Sequence, residues 1–326
     1  MSTQEIDVGI FGAGTMGSIH AQWLSGIEGI KVRGIMDIDL QRAEKLRAAV
    51  HGEYAVEDAA AIMEDKKITA VLICTHHDSH APLALRAADA GKRIFMEKPL
   101  AMTEQDCWRI KESLEKNGTD LCMGFNRRFS TIGLAAKESA IAPKIVFGQI
   151  MEPIWGSHLW AQDPHKGGGN VLSQGCHLFD LVSWYAGGDP AELFAYGGEL
   201  THQGTGLTDT MVCTIKFKNG VLGNVIIGDA GNPKIVQKFF LEILCGTRSI
   251  SIDGFQHLYR WGMDEEDIHL KEPDRGDRRQ MEVFADCLIN NKQFSCGIKE
   301  GMAGTVIVLK AFESLKTGQP VTLDFP

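Results

Sequence analysis

The sequence has no C-x-x-C pair, no long apolar run and no excess of positive charge. Its eight cysteines are scattered, mostly among apolar neighbours, which favours reduced, buried thiols over a disulfide framework. No apolar run approaches the length of a membrane span, and the chain does not open with a basic segment followed by an apolar one. We therefore expect an intracellular, cytoplasmic protein that has no membrane as its partner.

The charge balance argues against two further classes of partner. The chain carries 33 Lys and Arg against 42 Asp and Glu, a formal net charge of -9 at pH 7. Nucleic acids and anionic membranes select basic surfaces, so neither is expected as the main partner. Apolar residues make up 44% and charged residues 23% of the 326 residues, which predicts a globular protein of two ordinary domains.

The first 125 residues alternate short apolar runs with longer amphipathic stretches, which is the pattern of βαβ units around a parallel sheet. Strands are predicted at 6–11, 30–37, 68–75, 93–97 and 120–124. Helices are predicted at 15–25, 40–50, 81–90 and 104–116.

From residue 126 the pattern changes to strands that follow one another closely. They are predicted at 144–152, 192–201, 207–217, 221–229, 238–245, 249–253 and 320–324. Helices are predicted at 171–185, 279–290 and 299–316. Lys218-Asn219-Gly220 indicates a hairpin. Residues 126–326 are thus predicted to form an α+β domain with a largely antiparallel sheet.

Gly12-Ala13-Gly14-Thr15-Met16-Gly17 follows the first predicted strand and opens the first predicted helix. Glycines at this spacing allow a tight turn, a close backbone approach to a pyrophosphate and close packing of the helix on the strand. The N–H groups at the helix start attract phosphates. Residues 1–125 are therefore predicted to be a Rossmann domain, a doubly wound parallel sheet that binds a dinucleotide through this segment.

Asp37 lies at the end of the second predicted strand, twenty positions after Gly17. A carboxylate at this position accepts hydrogen bonds from the ribose hydroxyls of NAD and repels the 2′-phosphate of NADP. The residues favour NAD over NADP on this ground. The alternative is that Asp37 caps the following helix, a task that Asp39 is also placed to perform.

Thr75 and the histidines His76, His77 and His80 follow the strand predicted at 68–75, at the edge where ligands gather in open α/β sheets. Because no further carboxylate or cysteine partner is evident, we favour a cofactor-facing loop with Ser79 as helix cap over a metal site.

Glu97-Lys98-Pro99 ends the strand predicted at 93–97. Proline favours an extended conformation of Lys98, so its side chain is expected to project from the sheet rim and to hydrogen-bond a substrate hydroxyl. The alternative for Lys98 is a solvated surface lysine.

A glycine run, Gly167 to Gly169, leads into a segment that contains Ser173, His177 and Asp180. In a helix these three side chains share one face, and His177 is placed to act as a general acid or base. A hydrolase triad is discounted because Ser173 has no G-x-S-x-G context. A buried structural histidine bonded to Asp180 is the alternative.

Trp155 and Trp160 precede the glycine run. Aromatic faces suit the C–H surfaces of sugars, so both are candidate substrate contacts, although tryptophans more often fill cores.

Taken together, Gly12–Gly17, Glu97-Lys98-Pro99, Gly124-Phe125-Asn126-Arg127-Arg128-Phe129 and the glycine run before His177 resemble the Gfo/Idh/MocA oxidoreductase family over nearly the whole chain. The resemblance implies a Rossmann domain followed by an α/β domain whose open sheet faces the substrate on one side and a neighbouring subunit on the other. A homodimer or homotetramer is therefore expected.

The same resemblance implies hydride transfer between NAD(P) and a secondary alcohol carbon of a sugar, a sugar derivative or a cyclic polyol. Lys98 and His177 would flank the substrate beside the nicotinamide, and Glu97, Asn126 and Arg127 would lie near the cofactor. Many dehydrogenases of the family carry aspartate where this chain has Ser173. Either His177 works without that carboxylate, or the substrate or reaction differs.

Two other functions remain open on the sequence. One is a non-catalytic NAD-binding sensor or regulator, and the other is a glycoside-cleaving enzyme that retains its NAD.

Overall fold

The computed structural model describes residues 5–232, 234–235 and 237–324. The chain divides into two compact units. The first comprises the residues up to Phe125 together with Asp277–Gly301, and the second comprises Asn126–Gly276 with the chain from Met302 onward. The sequence placed everything after residue 125 in the second domain, so the return of Asp277–Gly301 is a correction. The outer limits predicted at residues 1 and 326 lie outside the described residues.

A parallel six-stranded sheet forms the centre of the first unit. Its strands are β1 (Ile6–Phe11), β2 (Ile30–Met36), β3 (Tyr54–Val56), β4 (Ile68–Ile73), β5 (Arg93–Met96) and β6 (Leu121–Met123), in the order β3-β2-β1-β4-β5-β6. The helices are α1 (Thr15–Ser25), α2 (Leu40–Ala49), α3 (Ala59–Glu64), α4 (His80–Asp89) and α5 (Glu104–Asn117). The predicted doubly wound parallel sheet is confirmed. The short elements β3 and α3 were not predicted.

The segment that returns to the first unit does so because its apolar face belongs to that unit's core. It contains α8 (Asp277–Ile289), whose Met281, Phe284 and Leu288 lie in one apolar cluster with Val8 and Ile10 of β1. This stripe at helical spacing is buried in the core of the first unit, where α8 packs against α1. The Arg93 side chain fixes the segment further, since its Nη1 donates to the Cys287 carbonyl oxygen over 2.9 Å.

A nine-stranded sheet forms the centre of the second unit, in the order β14-β13-β12-β11-β7-β10-β9-β8-β15. The strands are β7 (Ile145–Met151), β8 (Pro190–Gly198), β9 (Thr210–Phe217), β10 (Leu222–Gly228), β11 (Phe239–Cys245), β12 (Arg248–Asp253), β13 (His257–Trp261), β14 (Ile268–His269) and β15 (Val321–Thr322). The helices are α6 (Thr131–Ser139), α7 (Gly169–Ala186) and α9 (Ile298–Thr317). Every neighbouring pair is antiparallel except β7 with β10, which confirms a largely antiparallel sheet.

One face of this sheet is buried under α7. A methyl group at Gly148 of β7 would lie 2.7 Å from Leu178 Cδ1, and one at Gly223 of β10 would lie 2.8 Å from Val182 Cγ1. Glycine at both positions therefore permits the close approach of the helix. The opposite face is open and includes exposed apolar side chains. None of the helices in the described part of the chain is long and apolar enough to cross a membrane.

A buried ion pair joins α7 to the turn at Asn126–Phe129. The Arg128 guanidinium donates to both carboxylate oxygens of Asp180, with Nε to Oδ2 at 2.9 Å and Nη2 to Oδ1 at 2.7 Å. The Asp180 side chain is only 1% exposed. The pair satisfies two charges that would each be costly to bury alone.

Replacing Asp180 by alanine should lower the free energy of unfolding by about 3–5 kcal/mol, because Arg128 is left as an uncompensated buried charge. Urea denaturation followed by circular dichroism measures this. Glu282→Ala, which breaks the exposed pair with Arg278 on α8, is the control and should cost less than about 1 kcal/mol. Equal effects of the two substitutions would contradict a stabilising role for the Arg128–Asp180 pair.

Candidate functional site

The glycine-rich loop between β1 and α1 is built by a contact that only glycine allows. Gly12 has φ +93°, and a methyl group at Gly17 would lie 1.8 Å from the Gly12 carbonyl oxygen. The first turn of α1 therefore packs directly on the end of β1. Gly14 differs from both, because no atom of the described residues other than its own neighbours along the chain lies within 4 Å of the place where its Cβ would stand. The backbone at Gly14 is open to a ligand.

The start of α1 lacks a side-chain cap. Gly14 is the N-cap residue and has no side chain that could accept a hydrogen bond from the first turn, which begins at Thr15. N–H groups of this kind, at the positive end of the helix dipole, favour an anion such as a phosphate. A cavity of about 510 Å³ opens between α1 and α2 beside Gly14 and Thr15. These features fit the pyrophosphate of a dinucleotide.

Asp37 is held against the glycine-rich loop. Its Oδ2 accepts the backbone N–H of Ala13 at 2.7 Å, and its Oδ1 accepts the N–H of Asp39 at 2.9 Å. The cap of α2 is Asp39, whose side chain accepts from the N–H groups of Gln41 and Arg42. Asp37 is therefore not the helix cap. A carboxylate oxygen has more than one acceptor site, so Asp37 keeps capacity for ribose hydroxyls.

The segment after β4 places Thr75 and His76 at the same carboxyl edge of the sheet as the glycine-rich loop, because β1 and β4 are parallel neighbours. Ser79 does not cap α4 with its side chain. Its hydroxyl instead donates to Thr75 Oγ1 at 2.7 Å, or to the His76 carbonyl oxygen at 2.8 Å. The predicted cap at Ser79 is thus wrong, and the serine hydroxyl shapes the loop itself.

His80 is fully buried, and its burial favours the neutral ring. Burial lowers its pKa more than the nearby oxygens raise it. Its Nδ1 lies 2.7 Å from the Pro99 carbonyl oxygen, and its Nε2 lies 3.3 Å from the Thr75 carbonyl oxygen. A neutral ring has one N–H, so the shorter contact assigns it to Nδ1. His80 thereby ties the loop after β4 to the loop after β5.

Glu97 and His20 form a buried pair directly behind Lys98. Glu97 Oε1 lies 2.7 Å from His20 Nε2, and Glu97 Oε2 accepts the backbone N–H of Lys98 at 3.3 Å. Burial alone would raise the pKa of Glu97, but the hydrogen bond and charge of His20 and the charge of Lys98 outweigh it and lower the pKa. The Glu97 carboxylate, fixed by His20, therefore holds the backbone of Lys98 at the carboxyl edge of β5. The Lys98–Pro99 peptide bond is cis.

In the second unit, one face of α7 carries the predicted catalytic histidine. Gly175 and Leu178 lie on the sheet side, where a methyl group at Gly175 would meet Ile227 of β10 at 3.3 Å. Ser173 and His177 lie on the opposite face by helical periodicity, and Ser173 is 3% exposed. Asp180 shares that face, but its carboxylate binds Arg128.

The loops that follow β7, β8 and β10 leave the sheet at one edge, since these strands run in the same direction. The loop after β7 carries Trp155, which is half-buried, and Trp160, which is 39% exposed. His202 of the second loop lies with Nε2 2.5 Å from Oδ2 of Asp229, the first residue after β10. Gln162 Nε2 lies 3.3 Å from the same His202 nitrogen. The three loops thus meet in a polar cluster.

The turn after β6 begins with Asn126, which is buried, and Arg127. The Arg127 guanidinium lies over the rings of Phe239 and Phe255, at 4.8 and 4.9 Å from their centroids. Its Nη1 also donates to the Asp274 carbonyl oxygen at 3.2 Å. These contacts within the second unit fix the Arg127 side chain.

Sequence reasoning missed His20, the His202–Asp229 pair and Asn170. Both atoms of the Asn170 side-chain amide are buried and lack a hydrogen-bond partner among the described residues. His20 is 77 positions from Glu97, and His202 is 27 positions from Asp229, so neither pair has a local signal. The presence of a histidine in the second turn of α1 was the one available hint for the His20–Glu97 pair.

His20→Ala should leave Glu97 as an unpaired buried carboxylate and cost about 3–5 kcal/mol of unfolding free energy at pH 7. In the wild type, the lowered pKa of Glu97 contributes stability that is present above the unfolded value, about 4.3, and is lost as pH falls through the folded value. In the variant, burial raises the pKa of Glu97, so protonation relieves the cost as pH falls.

The stability gap between wild type and His20→Ala should therefore narrow from pH 7 to pH 4, as measured by denaturant titration across that range. Lys111→Ala, which breaks an exposed pair with Glu115 on α5 of the same unit, is the control and should show no such trend. A difference in unfolding free energy between wild type and His20→Ala that stays constant with pH would contradict the pairing of the Glu97 carboxylate with His20.

Comparison with known proteins agrees with this geometry. Residues 6–125 match the model of the GFO/IDH/MocA oxidoreductase family, NAD-binding Rossmann fold, and residues 144–247 match a GFO/IDH/MocA C-terminal domain. The chain is 27% identical to the uncharacterized oxidoreductase YrbE of Bacillus subtilis, over 99% of this chain and 98% of that protein. It is 30% identical to inositol 2-dehydrogenase 4 of Saccharopolyspora erythraea, over 70% of this chain and 68% of that protein.

Among solved structures, levoglucosan dehydrogenase in complex with NADH and levoglucosan superposes with a TM-score of 0.87 at 20% identity, covering 98% of this chain and 99% of that one. GenD2 from gentamicin A biosynthesis in complex with NAD gives 0.87 at 18% identity, covering 100% and 98%. At these identities the likeness shows the fold. The family matches and the curated relatives show more: the chain belongs to the GFO/IDH/MocA family of NAD-binding oxidoreductases.

Proposed function

We propose that the chain catalyses reversible oxidation of a secondary alcohol carbon of a sugar, a sugar derivative or a cyclic polyol with NAD. The observation that carries this is the position of Lys98. It follows β5 at the carboxyl edge of the parallel sheet, two strands from the glycine-rich loop after β1. Adjacent strands are about 4.8 Å apart, so Lys98 lies roughly 10 Å along the edge from the phosphate-binding loop. Ligands of doubly wound sheets occupy this edge.

Lys98 is the residue proposed to polarise the substrate oxygen. A lysine ammonium group stabilises negative charge that develops on an alkoxide, and its effect is large where water is excluded. Glu97 accepts the Lys98 backbone N–H and is itself fixed by His20. These contacts restrict the backbone from which the ammonium group extends, so the charge is positioned before the substrate binds.

His177 is the residue proposed to exchange the hydroxyl proton. It lies on the face of α7 away from the sheet, with Ser173 one turn earlier. Oxidation removes the hydroxyl proton to His177, and reduction returns it, which is general acid–base catalysis. Ser173 can donate or accept a hydrogen bond but cannot act as a carboxylate base at neutral pH. The proton is therefore held by His177 rather than by an aspartate at position 173.

The bound nicotinamide supplies or accepts the hydride. Gly12, Gly14, Thr15, Met16 and Gly17 are proposed to hold the pyrophosphate, because they form the loop and first turn at the positive end of the α1 dipole. Asp37 is proposed to bind the adenosine ribose and to repel a 2′-phosphate. Thr75, His76 and His80 would complete the cofactor side of the same edge, where the His80 contacts fix the loop.

The substrate class is supported by the relatives and by the loops of the second unit. Inositol 2-dehydrogenase 4 is named for an inositol, and levoglucosan dehydrogenase was solved with an anhydrosugar. Trp155 and Trp160 lie in the loop that meets His202 and Asp229, so aromatic and polar side chains occur together. Such a combination suits a ring with apolar C–H faces and hydroxyl edges.

The eight cysteines are free thiols, which suits the reducing cytoplasm proposed for the protein.

Lys98→Met and His177→Ala should each lower kcat by about 10²–10⁴-fold while the Kd of NADH stays near the wild-type value, because both act on the substrate oxygen. Nicotinamide absorbance with a panel of cyclitols, sugars and sugar acids measures turnover, and protein fluorescence measures NADH binding. Lys111→Met on α5 is the control. Variants that turn over at the wild-type rate would exclude these assignments.

The open face of the nine-stranded sheet is proposed to join two copies of the chain into a homodimer, or four into a homotetramer. Tyr196, Val212 and Leu222 lie on this face with exposures of 71%, 41% and 46%. Each alternates with residues that are buried on the α7 side of its strand. Exposed apolar side chains on a sheet face are costly to leave in water, and an isologous contact would cover them on both copies.

Val212→Glu should shift the protein to a smaller species, because a carboxylate would be buried in the contact without a partner. Light scattering after size-exclusion chromatography gives the mass. Ile38→Glu, at a site 81% exposed in the first unit, is the control and should leave the mass unchanged. A monomeric wild-type protein would refute the proposed contact.

A further inference from the structure

Asn170, the second residue of α7, has a side chain whose burial is not compensated. Its exposed fraction is 1%. Neither the oxygen nor the nitrogen of its amide has a hydrogen-bond partner among the described residues. A buried amide that makes no hydrogen bonds is destabilising, so such a group in a folded protein calls for an explanation. A ligand that binds the amide would provide one.

Helical geometry places Asn170 on the same face as Ser173 and His177. The spacing i, i+3 and i+7 aligns the three side chains, and Gly175, Leu178 and Val182 occupy the opposite, sheet-facing side. At 1.5 Å per residue, Ser173 lies about 6 Å and Asn170 about 10.5 Å from His177 along the helix axis. A six-membered polyol ring with a hydrogen bond at each end spans the longer of these distances.

We propose that Asn170 binds a hydroxyl of the substrate across the ring from the carbon that is oxidised. The proposal rests on the proposed function, because it takes His177 as the residue at the reacting hydroxyl. An amide offers a donor and an acceptor side by side, which matches a hydroxyl or a vicinal pair of hydroxyls. Asp180, the carboxylate on this face, is bound by Arg128. The substrate contacts from this face are thus neutral and directional, with Asn170 setting specificity.

The first arm of the test needs no substrate. Asn170→Leu replaces the amide by an apolar group of similar shape, so the ligand-free variant should unfold at the same temperature as wild type or at a higher one. Gln174→Leu is the matched control on α7, because the Gln174 amide accepts from Lys238 Nζ at 3.0 Å, and it should not stabilise. A Tm several degrees lower for Asn170→Leu would show a structural role and overturn the proposal.

The second arm measures coupling between Asn170 and one hydroxyl. Wild type and Asn170→Leu are assayed with myo-inositol and its mono-deoxy analogues, or with levoglucosan and its deoxy analogues where that sugar is the faster substrate. Wild type should lose about tenfold in kcat/KM with the analogue that lacks the contacted hydroxyl. Asn170→Leu should lose about tenfold with the parent polyol, mainly through KM, and show no further loss with that analogue. The Kd of NADH should not change.

The outcomes separate the two proposals. If wild type oxidises a polyol and Asn170→Leu discriminates among all analogues as wild type does, the role of Asn170 is wrong and the proposed function stands. If wild type oxidises neither myo-inositol nor levoglucosan, nor any other polyol of the panel, the proposed function fails and the role of Asn170 fails with it.

Discussion

The contact between Gly17 and the Gly12 carbonyl oxygen is the constraint on which the first unit depends. A Cβ at Gly17 would lie 1.8 Å from that oxygen, so α1 can begin at this point only if residue 17 has no side chain. The packing brings the uncapped start of α1 to the carboxyl edge of β1. Asp37 then reaches across to the Ala13 N–H and fixes the loop from the neighbouring strand. One backbone contact therefore sets both the phosphate and the ribose ends of the proposed cofactor site.

Among the described residues, three buried pairs of titratable side chains each fix a different segment of the chain. The Glu97–His20 pair holds the backbone of Lys98, the Arg128–Asp180 pair holds α7, and the His202–Asp229 pair joins two loops of the second unit. Breaking any of them would leave one charge without a partner in a low-dielectric environment, which costs more than the intact pair contributes. Their value to the protein is thus positional as much as energetic.

The fold could be predicted from the sequence where its signals are local. The glycine motif, the strands β1, β2, β4 and β5, and the hairpin at Gly220 depend on residues within a short window. The elements that were missed are short or are defined by distant partners. β3 has three residues, none of them fully buried, and β14 has two. The return of α8 to the first unit depends on Phe284 and Leu288 matching a core whose residues outside α8 lie between Val8 and Cys122.

The candidate site divides in the same way. Lys98, Asp37 and His177 could be named because strand ends, a proline and a family resemblance mark them. His20 and Asp229 could not, since each acquires its partner only when strands or helices distant in sequence pack together. Asn170 is a harder case, because its significance is the absence of a partner among the described residues. The sequence lists the polar side chains, but only the structure reveals which buried ones lack a hydrogen-bond partner.

Ser173 and Asn170 give the α7 face of this chain a hydroxyl and an amide, whereas the family resemblance implies an aspartate one turn before the histidine in many relatives. A carboxylate beside an imidazole stabilises its protonated form and attracts cations, whereas a hydroxyl and an amide do neither. The α7 face of this protein keeps its remaining carboxylate, Asp180, bound to Arg128. In the proposed site, recognition from this helix depends on hydrogen-bond direction rather than on charge. A site of that kind discriminates between polyols by the positions of their hydroxyls, because a missing hydroxyl leaves a buried amide unpaired again.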